Sequence, residues 1–425
     1  MNKKVKVLVF PCGAENATEI YQALRYSIHV EIFGASSMDD HGRYTFENYV
    51  GGLPNIKEPG FQAEFEALIT RLKIDMVFAT HDSVMEYLSE KTQIMDFFLV
   101  NGAPETTAVA RKKSATYQMF AARAWSPKVF PNPDAVDVWP AVIKPDCGQG
   151  GQDVQVVHDL AEASMAFAKM ASPVLMEYLP GDEVTVDCFT DRKGRLVWIG
   201  ARTRERVRAG ISMRSSLLPL DARIEGIARD INATLKFRGP WFFQLKQDRG
   251  GCWKLLEFSC RVAGTMVAQR AKGVNLPLMA VHDYLERDVK ALANRWVEMV
   301  DRRIVTKAEM EFRYETVFVD LDETLVIDGF AVPTVLAFIY QSIAARKKLV
   351  LITRHAKNVA ETLSRARISL NLFDEIIHIT DGSSKALYVV PDAIFIDNHF
   401  PERYEVMEKC NVPVFDVDAI EFFLR

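Results

Sequence analysis

Residues 141–152 read AVIKPDCGQGGQ, a short apolar run that ends in Lys144 and Pro145 and leads directly into a loop with three glycines. The apolar run predicts a buried strand, and the proline and glycines predict that the strand stops there. A lysine at a strand end supplies positive charge, and glycines let backbone N–H groups approach an anion. The stretch therefore favours a phosphate-binding loop, although an ordinary turn beside a solvated lysine has the same pattern when taken alone.

Further polar residues stand in one order around this loop, within residues 112–264. They are Lys113 at the head of a helix, Glu177 and Glu183 on either side of the turn LPGD, Asp187, the arginines Arg202, Arg204 and Arg208, Gln244, and the run EFSCR at 257–261. Lysines suit the phosphates of ATP, carboxylates can accept from ribose hydroxyls, and acid and amide oxygens suit Mg²⁺. Arginines suit the charge on a transferred phosphoryl group. Each residue alone has a plain structural explanation, but the ordered set predicts an ATP site.

This ordered set resembles the ATP-grasp superfamily, in particular the carboxylate–amine ligases similar to the large subunit of carbamoyl phosphate synthetase, over roughly residues 1–300. The resemblance implies phosphate-binding lysines at Lys144 and Lys113, with Lys112 as the alternative register, beside a loop of Gly148, Gly150 and Gly151. It also implies a hinge carboxylate and a ribose-binding glutamate at Glu177 and Glu183, metal ligands at Gln244, Glu257 and Ser259, and a late arginine at Arg261. The family usually has asparagine where Ser259 stands, and serine is a weaker neutral ligand.

A site of this family implies a particular reaction. A carboxylate oxygen attacks the γ-phosphate of ATP to give an acyl phosphate and ADP, and an amine then displaces phosphate to leave an amide. Arg202 and Arg204, in the same stretch as Arg208, are the candidates for gripping the acceptor carboxylate and the transferring phosphoryl group. Strand-end loops with Glu15, His81 and Asp82 are expected to line the acceptor site. The implied cofactors are ATP and Mg²⁺, with Mn²⁺ as an alternative, and the implied partners are a small-molecule carboxylate and an amine.

The fold class predicted for the whole chain is multidomain, α/β and α+β. Apolar runs at Val5–Phe10, His29–Phe33 and Met76–Ala79 alternate with helical patterns, which predicts a parallel sheet. We expect a Rossmann-like pre-ATP-grasp domain at 1–110, an ATP-grasp domain with antiparallel hairpins at 111–300, and a further α/β domain at 301–425.

The last of these domains opens with VFVDLDETL at 317–325, in which two aspartates stand two residues apart after an apolar strand. Because side chains alternate along an extended chain, both carboxylates point the same way. Asp320 can then attack phosphorus while Asp322 protonates the leaving oxygen. A cation must separate the anionic nucleophile from the anionic phosphate, and Mg²⁺ fits that need.

Residues 314–425 resemble the haloacid dehalogenase superfamily. The resemblance implies four motifs, carried by Asp320 with Asp322, Thr353, Lys385 and Asp397, and Mg²⁺ ligands at Asp320, Asp322 and Asp397. Asn398 stands where a second acid is common, and the insert after Asp322 is short for a large cap domain. An open cleft of this kind favours a bulky or protein-borne phosphoester, or the product of the fused ligase.

The overall composition sets limits on these interpretations. The chain has 425 residues, 52 basic and 56 acidic side chains, and a net charge of −4, which argues against a nucleic-acid partner. Its six cysteines are scattered and no apolar run is long enough to span a membrane, so we expect a cytoplasmic protein. The leading hypothesis is a bifunctional ligase and phosphatase, with a homodimer left open. One alternative is a phosphatase whose ATP-grasp half has become a nucleotide-binding regulatory module; another is a scaffold without turnover.

Overall fold

The computed structural model describes residues 3–92, 94–148, 151–208 and 210–425. The chain forms two compact units, Met1–Arg303 and Ile304–Arg425. Within these described ranges, no helix has both the length and the apolar character needed to cross a membrane.

The strands described in the first unit are short to medium in length and belong to four sheets. They are β1 (Val5–Phe10), β2 (Val30–Ala35), β3 (Asn48–Val50), β4 (Met76–Ala79), β5 (Phe98–Leu99), β6 (Val129–Phe130), β7 (Ala141–Pro145), β8 (Gln155–Val157), β9 (Pro173–Glu177), β10 (Glu183–Thr190), β11 (Leu196–Thr203), β12 (Glu205–Arg208), β13 (Ile211–Ser216), β14 (Gly239–Gln247), β15 (Trp253–Ser259) and β16 (Met299–Asp301).

The helices of the first unit connect or cover these sheets. They are α1 (Glu15–Leu24), α2 (Gly42–Thr45), α3 (Phe61–Leu72), α4 (Asp82–Ser89), α5 (Pro104–Arg111), α6 (Lys113–Met119), α7 (Leu160–Lys169), α8 (Ala222–Thr234), α9 (Val267–Ala271) and α10 (Leu276–Tyr284).

The predicted parallel sheet at the N-terminus is confirmed, with the strand order β3-β2-β1-β4-β5. The central strand β1 is almost wholly buried, as expected where helices cover both faces of a parallel sheet. Because β1 and β4 are parallel neighbours, the loops that follow them meet at one edge. Those loops lead into α1 and α4, and they place Glu15 and His81 on the same side of the sheet.

The rest of the first unit is built mainly on antiparallel sheets, in the orders β6-β9-β7-β8 and β11-β10-β14-β15, with a smaller one, β12-β13-β16. In the second of these sheets, Thr185 on β10 lies opposite Arg202 on one side and Gln244 on the other, and Gln244 lies opposite Glu257. These four residues therefore form a row across four strands. We call Arg202, Thr185, Gln244 and Glu257 the cross-strand row.

The second unit contains a five-stranded parallel sheet in the order β21-β20-β17-β22-β23, next to the small hairpin β18-β19. Its described elements are β17 (Thr316–Val319), β18 (Val326–Ile327), β19 (Phe330–Ala331), α11 (Pro333–Ala344), β20 (Lys348–Thr353), α12 (Val359–Arg365), β21 (Glu375–His378), β22 (Ala393–Ile396), α13 (Phe400–Cys410) and β23 (Val414–Phe415). Asp320 follows the middle strand β17, Thr353 ends β20, and Asp397 follows β22. The three residues therefore lie at the carboxyl edge of three adjacent strands.

Candidate active sites

A cavity of about 400 Å³ in the first unit collects the predicted nucleotide-binding residues. Its lining includes Lys113, Lys144, Gly148, Gly151, Glu177, Glu183, Arg204, Gln244 and Glu257. Gly150 lies outside the residues that the structure describes. The alternative lysine, Lys112, is exposed and is absent from the lining, so the geometry favours Lys113.

Apolar side chains complete the lining of this first cavity. Val142, Met176 and Leu256 contribute to it, together with Val154, Val156 and Leu179. An adenine ring needs apolar walls with a few polar groups placed among them, and this lining supplies both. The residues present therefore fit a purine nucleotide.

Lys144 is buried at the end of β7, and its Nζ donates to the hydroxyl of Tyr117 at 2.7 Å. The Tyr117 hydroxyl in turn donates to the carbonyl oxygen of Leu256 at 2.6 Å. Burial and the nearby charge of Lys113 lower the pKa of Lys144 to about 7, although Glu257 opposes the shift. Sequence reasoning missed Tyr117. It stands four residues after Lys113 on α6, and this spacing places the two residues on the same face of the helix, which could have indicated it.

The start of α6 is attached to the loop that follows β7. The Lys113 backbone N–H donates to the carbonyl oxygen of Asp146 at 3.1 Å, and the N–H of Ser114 donates to the Asp146 carboxylate at 2.7 Å. The Ser114 hydroxyl donates to the same carboxylate at 2.9 Å. These contacts bring the two cavity lysines together although 31 residues separate them in sequence.

The two predicted carboxylates at the LPGD turn are held differently. Glu177 accepts from the backbone N–H of Lys128 at 2.8 Å through one oxygen. Glu183 lies 2.6 Å from Nε of Arg204 and 3.8 Å from Nζ of Lys246. Glu183 therefore lies close to two cationic side chains, and both glutamates line the first cavity.

Gln244 and Glu257, two of the three predicted metal ligands, are opposed on β14 and β15 and line the same cavity. Ser259 differs, because its hydroxyl donates to Oδ1 of Asp82 at 2.6 Å and it lines neither cavity described here. Arg261 donates to both oxygens of the same carboxylate, at 2.9 and 3.0 Å. Burial raises the pKa of Asp82, but the charge and hydrogen bonds of Arg261 and the bond from Ser259 outweigh it and leave that pKa lowered.

A second cavity, of about 310 Å³, lies beside the first and shares Gln152, Arg204, Gly210, Gln244 and Glu257 with it. Its other lining residues include Arg202, Arg261, Glu15 and His81, whereas Asp82 is absent from the lining and is paired with Arg261. Arg208 is exposed and is not part of either lining. The five shared residues therefore form a common wall between the two cavities.

Arg202 is the most buried charge in this second cavity, at 2% exposure. Its Nε donates to Asp187 at 2.7 Å, and Asp187 also accepts from Nε2 of Gln269 at 3.1 Å. Nη1 of Arg202 has no hydrogen-bond partner among the described residues. A buried donor without a partner is costly, so this nitrogen is suited to an anionic ligand.

The second unit brings Asp320, Lys385 and Asp397 into contact. Nζ of Lys385 lies 2.7 Å from Oδ1 of Asp320 and 2.7 Å from Oδ2 of Asp397, and all three side chains are buried. Burial raises the pKa of Asp320 to about 6, although Lys385 opposes the shift. Burial also disfavours the charge on Lys385, but the two carboxylates outweigh it and raise its pKa.

Asp322, the remaining predicted carboxylate, stands apart from this group. It is exposed, and its two oxygens lie 2.8 and 3.0 Å from Nδ1 of His355. Among the described residues, no group of three His, Cys, Asp or Glu side chains could hold a metal ion. His355 was missed by sequence reasoning; it stands two residues after Thr353, beyond the end of β20, where strand alternation no longer predicts the direction of a side chain.

Several solved structures are similar to this chain in fold. The biotin carboxylase-β,γ-ATP complex from Campylobacter jejuni matches with a TM-score of 0.56 and 13% identity, over 67% of this chain and 72% of that one. The L-amino acid ligase from Bacillus licheniformis matches at 0.53 and 17% identity, over 67% and 75%. The N5-carboxyaminoimidazole synthetase from Staphylococcus aureus in complex with ADP matches at 0.56 and 12% identity, over 69% and 80%. The chain carries a mixed α/β fold of the ATP-grasp type.

One family model refines this assignment. Residues 169–308 match the family described as ATP-grasp in the biosynthetic pathway with Ter operon. No curated protein matches the chain. The matched range covers β10, β11, β14 and β15, and so includes the whole cross-strand row.

Proposed function

We propose that the first unit is an ATP-dependent ligase that activates a small-molecule carboxylate as an acyl phosphate and joins it to an amine. The observation that carries the proposal is the shared wall of the two cavities, formed in part by Arg204, Gln244 and Glu257. One cavity fits a nucleotide in composition and size, and the other offers arginine to an anion. Phosphoryl transfer depends on this positioning of donor and acceptor rather than on covalent chemistry by the protein.

Each side chain of the two cavities has a different role in the proposed reaction. Lys113 and Lys144 neutralise the phosphates of ATP from one cavity, since both line it. The free Nη1 of Arg202 holds the acceptor carboxylate in the other. Arg204, on the shared wall, stabilises the charge of the phosphoryl group in transit. Gln244 and Glu257 offer the oxygen donors that Mg²⁺ prefers, and such an ion would reduce the charge on the transferring phosphate.

The test is a screen of the full-length protein for ADP release over paired acids and amines. The proposal expects ADP release that requires a particular acid, and amide formation when the amine is added. ADP release with an acid would exclude the alternative of a purely regulatory nucleotide-binding module. Nucleotide binding without ADP release from any acid and amine pair would favour that alternative.

We propose a second activity, a phosphomonoesterase, for the second unit. The supporting observation is Lys385 held between Asp320 and Asp397 at the carboxyl edge of the sheet, each oxygen 2.7 Å away. Asp320 attacks phosphorus to form an aspartyl-phosphate, and Asp322 gives a proton to the departing oxygen. Lys385 offsets the negative charge of the nucleophile and of the phosphoryl oxygens. Asp320 and Asp397 are the candidate ligands for a Mg²⁺ ion, which would lessen the repulsion between nucleophile and phosphate.

The test of this second activity uses p-nitrophenyl phosphate and an alkyl phosphate with the full-length protein and Mg²⁺. Turnover in the wild type and its loss in Asp320→Asn are the expected results. No turnover of any phosphomonoester would refute the phosphatase and leave the ligase proposal untouched, because the two sites use different residues.

A further inference from the structure

Asp322 is held by a histidine that belongs to none of the four predicted motifs. One ring nitrogen, Nδ1 of His355, lies within hydrogen-bond distance of both carboxylate oxygens of Asp322. The side chain of His355 is 10% exposed, whereas that of Asp322 is 54% exposed. The contact therefore attaches a solvent-facing carboxylate to a side chain that packing holds in place.

The ring of His355 is itself fixed by its other neighbours. Nε2 lies 2.7 Å from Oγ1 of Thr362 on α12. The backbone N–H of His355 donates to the hydroxyl of Thr353 at 3.0 Å, and its carbonyl oxygen accepts from Nε2 of His378 at 2.7 Å. An ionised carboxylate can only accept, so Nδ1 carries the proton, and in the neutral ring Nε2 then accepts from the Thr362 hydroxyl. One tautomer satisfies every contact.

We propose that His355 is a positioning residue for Asp322, the general acid of the phosphatase; the inference rests on that proposed function. A general acid acts only within hydrogen-bond reach of the leaving oxygen, and an exposed carboxylate samples several rotamers. When Nδ1–H of His355 binds one oxygen, the other oxygen is left to carry the proton toward the leaving group.

The reaction has two steps, phosphoryl transfer to Asp320 and hydrolysis of the aspartyl-phosphate, and in each step every bond that forms is matched by one that breaks. As the bond from Asp320 to phosphorus forms, the bond from phosphorus to the leaving oxygen breaks, and that oxygen takes the proton of Asp322. The resulting Asp322 carboxylate accepts from Nδ1–H of His355. A water molecule then attacks the aspartyl-phosphate and returns a proton to Asp322, while His355 keeps its own proton throughout.

The experiment compares two substrates in the full-length protein. An alkyl phosphate has a poor leaving group and needs the general acid, whereas p-nitrophenyl phosphate needs it far less. His355→Leu is expected to lower kcat for the alkyl phosphate by about 10–100-fold and kcat for p-nitrophenyl phosphate by less than about 3-fold, with KM unchanged for both. His355→Asn, whose amide nitrogen can replace Nδ1 as donor, is expected to recover most of the loss.

Two further variants keep the inference falsifiable if His355→Leu fails to fold. Thr362→Val removes the hydroxyl that fixes the ring, and a smaller loss confined to the alkyl phosphate is expected. Arg365→Gln, on the same helix but paired with Glu361 at the surface, is the matched control and should leave both rates unchanged. Equal losses on both substrates, or no loss on either, would overturn the inference while the phosphatase itself stands. An inactive wild type would overturn the phosphatase and the inference with it.

Discussion

The ammonium of Lys144 donates to the hydroxyl of Tyr117 at 2.7 Å; both side chains are buried, and Lys144 lines the first cavity. The hydroxyl oxygen is a neutral acceptor, so it satisfies the ammonium without cancelling its charge. Burial and the charge of Lys113 bring the pKa of Lys144 down from its ordinary value of 10.5 to about 7. An anionic ligand at this position would stabilise the charged form.

The first prediction concerns protons taken up when ATP binds. Below pH 7 Lys144 is already charged; between pH 7 and the higher pKa of the complex, bound phosphate must recruit a proton. We expect uptake of up to one proton per ATP at about pH 8.5, and weaker ATP affinity as the pH rises. Isothermal titration calorimetry in two buffers of different ionisation enthalpy measures this directly. Identical apparent enthalpies in both buffers would contradict it.

The second prediction separates the two proposed activities. Lys144→Ala removes a charge-assisted contact to the phosphates and should lower ligase turnover by about 2–4 kcal/mol in transition-state stabilisation, with phosphatase turnover unchanged. Lys169→Ala, an exposed lysine at the end of α7, is the control and should leave both activities intact. A Lys144→Ala variant that couples acid and amine at the parental rate would show that the nucleotide binds elsewhere.

The third prediction distinguishes Glu257 from Ser259 as a metal ligand. Glu257→Gln removes the only negative charge of the pair Gln244 and Glu257 and should raise the Mg²⁺ concentration needed for ADP formation at least tenfold. Ser259→Ala should leave the Mg²⁺ requirement unchanged, because that hydroxyl is bound to Asp82. Titration of Mg²⁺ against ADP formation decides between them, and a shift caused by Ser259→Ala alone would reverse the assignment.

The fourth prediction concerns the stability of the first unit. Asp187→Ala leaves the guanidinium of Arg202 buried without its carboxylate, and the free energy of unfolding should fall by about 3–5 kcal/mol. Asp288→Ala, at an exposed carboxylate that pairs with Lys193 and Arg192, should lower it far less. All six tryptophans lie within residues 1–303, so tryptophan fluorescence during urea unfolding reports on this unit alone. An equal effect of both substitutions would argue against the buried pair as a stabilising contact.

The fifth prediction assigns the phosphatase nucleophile. Asp320→Asn should eliminate turnover, because an amide oxygen attacks phosphorus poorly, whereas Asp322→Asn should slow an alkyl phosphate by roughly 10²–10⁴-fold. A beryllium fluoride adduct located crystallographically should lie on Asp320. An adduct on any other side chain, or full turnover by Asp320→Asn, would refute the assignment.

Local sequence patterns predicted the bounds of a strand well when both faces of the strand are buried. Val5–Phe10 and Met76–Ala79 agree residue for residue with the structure. These strands are central in parallel sheets, where both faces are apolar and the run of hydrophobic residues marks both ends. The strand predicted at His29–Phe33 is observed at Val30–Ala35. Its bounds differ because a turn, and not the hydrophobic run, determines where the strand begins.

Contacts between distant residues could not be predicted in the same way. Ser259 and Asp82 are 177 residues apart, and nothing near either residue indicates that the hydroxyl would meet a carboxylate from α4 rather than a metal. The pairing of Asp322 with His355 is of the same kind, since it depends on the course of the chain after β20. Residue types at motif positions were therefore predictable, whereas the partners that set their charge and orientation were not.

The cross-strand row makes the site tolerant of length changes in the surrounding turns. Neighbouring strands lie about 4.8 Å apart whatever connects them, so the spacing of Arg202, Thr185, Gln244 and Glu257 does not depend on the turns at 191–195 and 248–252. Insertions there cost little closure entropy and move none of the four side chains. The deletion of one residue within β14 has the opposite effect, because it turns Gln244 toward the other face of the sheet. Insertions and deletions can therefore accumulate in the turns of this unit. Within the strands that carry the cross-strand row, residues can be substituted, but a change of length would displace the row.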